Sequence, residues 1–109
     1  MLYYEFNVGE KTYKLRLNTR NTIALEKQLG CNPLAIFGNG DTIPTVTTMV
    51  NILHYSLQQY HHGITLNNAY DIFDEYIADG NTSTDFIPVI VDIFKVSGII
   101  KEEGNSEKN

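Results

Sequence analysis

The sequence predicts an α+β fold: an N-terminal β-hairpin packed on a mainly helical bundle of about five helices. Three observations predict it. Two short segments near the start alternate apolar and polar residues. From residue 19 onward, apolar residues recur at three- and four-residue spacing between capping residues and glycines. The last of these segments is apolar almost all round, as a central helix would be. A chain of 109 residues falls in the range of one domain that buries a core without disulfides. Residues 1–100 are expected to form it, with KEEGNSEKN at 101–109, which has no apolar residue, as a disordered polar tail.

In the first strand Leu2, Tyr4, Phe6 and Val8 lie on one face, opposite Tyr3, Glu5 and Asn7. In the second, Tyr13, Leu15 and Leu17 lie opposite Thr12, Lys14 and Arg16, and Gly9 and Glu10 turn between them. A lone hairpin is marginal in water, so its apolar face must be covered by the rest of the chain. Asn18, Thr19, Asn21 and Thr22 offer N-caps, with Glu26 near enough for a capping role, to a helix carrying Ile23, Leu25 and Leu29 and stopped by Gly30. Asn32 before Pro33 then caps one or two turns through Phe37, and Gly38 to Asp41 turn the chain again. The longest helix is expected from Pro44 or Thr45 to Gly63, with Val46, Met49, Val50, Leu53, Leu57 and Tyr60 on its core face. Thr65 caps the next, with Leu66, Ala69, Tyr70, Phe73, Tyr76 and Ile77 on its apolar side, ending at Gly80. Pro88 must lie near a helix start, so the last helix is expected from Ser83 or Thr84 to Gly98.

Charge is segregated along the chain. Residues 1–27 hold five basic and three acidic side chains, residues 28–94 hold seven acids and no Lys or Arg, and the rest is balanced, giving a net charge of −5. Such an acidic body disfavours nucleic acid, whose binding rests on neutralising phosphates. Basic protein segments suit it better, and the basic end docking head-to-tail on the acidic body of another copy suits it too. No basic, apolar export segment opens the sequence and no run of about 18 apolar residues occurs, so a cytoplasmic chain with no membrane partner is expected. Cys31 stands alone, which excludes an internal disulfide, and is expected to be a small half-buried side chain.

None of the patterns that carry chemistry is complete. His54 and His61, seven residues apart on one expected helix, would stand about 10 Å apart along its axis, too far for one metal ion. Asp71, Asp74 and Glu75 share a helix face, which more often means a solvated surface than an acid–base pair. Gly38 and Gly40 lack the third glycine and the Lys-Ser or Lys-Thr of a phosphate loop, and the residues around Gly80 do not supply a calcium loop. A binding protein is therefore expected, with no catalytic residues, metal, cofactor or small-molecule substrate.

Residues 4–37, YEFNVGEKTYKLRLNTRNTIALEKQLGCNPLAIF, resemble the N-terminal part of the tail assembly chaperones of long-tailed, siphovirus-type phages and prophages of Gram-positive bacteria. The resemblance is most specific at Leu15, Arg16, Leu17, Thr19, Arg20, Leu25, Glu26, Leu29, Gly30, Asn32, Pro33 and Leu34, and continues more loosely to about residue 100. It implies a protein that coats the tape-measure protein, keeps it soluble, helps recruit tail-tube subunits and is absent from the mature virion. In many members a translational frameshift near the C-terminus yields a second, longer product. The rival readings are a structural tail or head-to-tail connector component and, more remotely, a hydrolase using Asp71 or Glu75.

Two helices supply the candidate protein-binding surface. The long helix carries Thr47, Thr48, Asn51, His54, Tyr55, Gln58, Gln59 and His62 on a polar face without a single charge, which suits either a partner or the rest of the fold. The last helix is over-supplied with apolar residues. The candidates are Tyr55, Gln58 and Gln59 on the former and Ile87, Val91 and Phe94 on the latter.

Overall fold

A computed structural model describes residues 2–38 and 43–101. Strands β1 (Tyr4–Val8) and β2 (Lys11–Leu15) form a two-stranded antiparallel sheet in which Phe6 faces Tyr13 and Tyr4 faces Leu15, the register the alternation predicts. Gly9, at φ 60°, makes the turn, a conformation that suits a first turn residue without a side chain. Its N–H donates to Asp79 Oδ2 at 2.6 Å, which ties the hairpin tip to the helical part.

Among the described residues four α-helices follow: α1 (Thr19–Leu29), α2 (Val46–Leu57), α3 (Leu66–Ala78) and α4 (Phe86–Val96). The expected fifth is a 3-10 turn at Pro33–Phe37, which Asn32 caps by accepting the Leu34 N–H and Gly38 closes. The expected caps form. Asn18 accepts from Asn21 N–H, Thr45 from Thr48 N–H, and Thr65 and Asn68 complete a capping box. A second capping box, between Thr82 and Asp85, leads through a 3-10 turn into α4, so Pro88 falls in its first turn. The expected turn through Asn39, Gly40 and Asp41 and the expected disordered tail, apart from Lys101, lie outside the described residues.

α2 is shorter than expected. It ends at Leu57 because the Gln58 amide folds back, donating to the carbonyls of His54 and Ile64 at 2.9 and 2.8 Å, and the chain turns away before Gly63. α2 is also the central helix, packed against α1, α3, α4 and β2. Its Met49, Ile52, Leu53 and Leu57 join Phe6, Val8, Leu15, Leu17, Leu25, Ile90 and Ile93 in the core. Phe6, Phe73, Tyr76 and Phe86 pack ring to ring at 5.1–6.1 Å between centroids, joining sheet, α3 and α4. β2 is sealed along its outer edge, where Lys14 N–H donates to His61 Nε2 and Arg16 N–H to the Ser56 carbonyl, both at 2.9 Å. On α3 the buried stripe is Ala69, Ile72, Phe73 and Tyr76. Tyr70 and Ile77, expected on that side, are exposed, because the face turns toward Ile72. Cys31, expected half-buried, is exposed in the link between Gly30 and Asn32.

Candidate functional site

The uncharged face expected of the long helix is largely half-buried, with Asn51 buried and Thr47 and His62 exposed. Asn51 is 6% exposed and donates to the Thr47 carbonyl, while His54, Tyr55, Gln58 and Gln59 are half-buried. Gln58 spends its amide hydrogens on backbone carbonyls, and Tyr55 packs against the core and lies 4.7 Å from the His54 ring. Burial pushes the His54 imidazole below its ordinary pKa. On α4, Phe94 is fully buried against Phe37, so it belongs to the core rather than to a surface. Ile87 and Val91, one turn apart, are half-buried and keep part of their surface open. The six candidates therefore do not form one surface. Ile87 and Val91 on α4, Tyr55 near the end of α2 and Gln58 and Gln59 just beyond it are half-buried, and Phe94 is core.

His61 lies beyond the end of α2 rather than on it. Its Nε2 accepts the Lys14 N–H and its ring packs edge-on against Tyr13 at 5.3 Å. That acceptor role requires an unprotonated Nε2. Burial and the nearby Lys14 ammonium both hold the imidazole pKa down. Among the described residues, no three His, Cys, Asp or Glu side chains gather as metal ligands. Asp71, Asp74 and Glu75 are all exposed on α3, and Glu75 reaches over the hairpin tip, its Oε2 2.8 Å from where a β-carbon on Gly9 would stand. No helix of the described residues is long and apolar enough to cross a membrane.

An open apolar feature lies between the start of α2 and the middle of α3. There a cleft of about 330 Å³ is walled by Val46, Val50, Tyr70 and Phe73 and bordered by Thr47, Asn51 and Asp74. Val46 and Tyr70 are each about half exposed, and Ile43, just before α2, is 60% exposed. Apolar walls with one carboxylate at the rim fit an apolar side chain whose neighbour is a cation. Val46 and Tyr70, expected on the core side of their helices, are exposed at this cleft. Tyr70 sits at the margin of the apolar arc of α3, whereas Val46 lies within that of α2 and is exposed at the helix's first residue.

Residues 4–108 match the model of a family described as "Family of unknown function (DUF6096)". No curated protein and no solved structure matches the chain.

Proposed function

We propose that the chain, which belongs to the DUF6096 family, is a non-catalytic tail assembly chaperone. It binds the tape-measure protein in the host cytoplasm, helps recruit tail-tube subunits and is left out of the finished virion. The observation that carries the reading is the α2–α3 cleft. It offers half-exposed Val46 and Tyr70 beside Asp74, on a body without a single Lys or Arg from residue 28 to 94. A long client needs many short, separately weak contacts, and such a cleft takes one apolar side chain with a Lys or Arg beside it. The residues that carry the resemblance support the reading in a second way. They build one continuous unit, from the end of β2 through α1 and its Gly30 stop to the Asn32 cap. Ile87 and Val91 on α4 offer a further apolar contact.

Co-expression with the tape-measure protein, followed by size-exclusion chromatography with light scattering, tests the reading. The expected result is a soluble client carrying several copies of this chain, lost in a Val46→Asp, Tyr70→Asp variant that keeps its helical circular dichroism. A client that stays insoluble while this chain elutes alone overturns it. Mass spectrometry of purified virions separates a chaperone, which should be missing, from a tail or connector component, which should be present.

A further inference from the structure

The segregation of charge along the sequence becomes, in the fold, two separate helix faces of opposite charge. α1 and α3 both pack against α2 and share no substantial contact with each other. α1 turns Leu25 inward and leaves Arg20, Ile23 and Lys27 exposed at i, i+3 and i+7, a stripe with one apolar side chain between two cations. Ile23 is 47% exposed. α3 turns Ala69, Ile72, Phe73 and Tyr76 inward and leaves Asp71, Asp74 and Ile77 exposed, two anions beside an apolar side chain that is 38% exposed. One chain cannot bring these two faces together, because α2 stands between them.

We infer that the exposed face of α3 binds a second copy of this chain, whose α1 docks Arg20, Ile23 and Lys27 against Asp71, Asp74 and Ile77. The contact pairs cations with anions around two isoleucines, and charge complementarity selects this occupant over a like-charged one. It is heterologous: each docking leaves one basic and one acidic face free, so copies add head-to-tail into a chain or ring rather than stopping at a two-fold dimer. The inference rests on the chaperone reading for its use: Asp74 also rims the α2–α3 cleft, so a docked copy and a client's cation compete for that carboxylate. Its geometry stands apart from that reading.

The test uses this chain alone. Sedimentation velocity across a concentration series, in about 0.05 M and then about 0.5 M salt, should show mass rising with concentration at low salt and returning toward the 12.4 kDa of one chain at high salt. An Arg20→Glu, Lys27→Glu variant and an Asp71→Lys, Asp74→Lys variant should each stay monomeric at low salt. Mixed, they should associate again, because each then meets an opposite face on the other. That rescue cannot come from damage to the fold. A single-chain mass for the unaltered protein at every concentration, or variants that associate as the unaltered protein does, would overturn the inference. Association without client binding would leave it standing and sink the chaperone reading instead, and client binding by a strict monomer would do the reverse.

Discussion

α2 and α3 are neighbours of nearly equal length, 12 and 13 residues, and each shows a face that departs from the ordinary charged helix surface. On α2 the departure is an absence of charge, and it goes with burial: Asn51 is buried, His54, Tyr55, Gln58 and Gln59 are half-buried, and the amides of Asn51 and Gln58 donate to the chain's own backbone. On α3 the charges are present, but Tyr70 and Ile77 stand exposed among them. A polar face without charge marks the inside of a fold. Apolar side chains set in a charged face mark surface that the chain leaves uncovered.

Substitutions on the two kinds of surface break or sharpen that contrast. The largest effect is expected from Phe94→Asp, which puts a carboxylate where no water reaches. The variant should be unfolded at 25 °C by circular dichroism, and a folded monomer would return Phe94 to the surface. Leu53→Ala, on the hidden side of α2, should cost about 2–5 kcal/mol in urea unfolding through lost contacts and the cavity left behind. Gln58→Ala should cost about 1–2 kcal/mol, because the carbonyls of His54 and Ile64 lose their donor. An undiminished melting temperature would show that the polar face of α2 is not held as described.

Acidification probes that face at His54 and the edge of β2 at His61. His54 and His61 both have pKa values below the ordinary 6.5 in the folded chain, so the unfolded chain takes up protons first as pH falls. The stability they contribute is present above about 6.5 and is lost as pH drops from there through the lowered folded values. Thermal melting between pH 7.5 and 5 should track this loss, and His61→Ala should flatten part of it. The smallest effect belongs to α3: Ile77→Ala should change stability by no more than about 0.5 kcal/mol. A cost as large as that of Leu53→Ala would erase the difference between the two helices.

Local signals carried much of the fold. The alternation around Gly9, the caps at Asn32 and Thr65, a cap among the residues offered from Asn18 to Thr22, and the position of Pro88 each act within a few residues, and each formed as expected. Tertiary choices were not legible. Nothing between residues 58 and 62 breaks a helix, so the end of α2 depends on what the Gln58 side chain finds across the turn. Which of Tyr70, Ile72 and Ile77 faces inward depends on how α3 is rotated against α2, and all three fit an apolar arc. The site suffered most. Uncharged residues on α2 and surplus apolar residues on α4 look alike whether a partner or the protein itself covers them, and Phe94 and Gln58 proved to be covered by the protein itself.

Arg16 and Leu17 fasten the hairpin to residues far along the chain. Arg16 Nη1 donates to the carbonyls of Leu2 and Val96 at 3.1 and 3.0 Å, and Leu17 N–H donates to Ser97 Oγ at 2.8 Å, across 80 residues of sequence. During synthesis the hairpin leaves the ribosome long before its anchors exist. Its ties to Ser56, His61 and Asp79 emerge first and those to Val96 and Ser97 last, so it is fully fastened only when nearly the whole domain has been made. Nascent chains stalled short of residue 97 should be cut by protease within the hairpin, and chains released beyond residue 100 should resist.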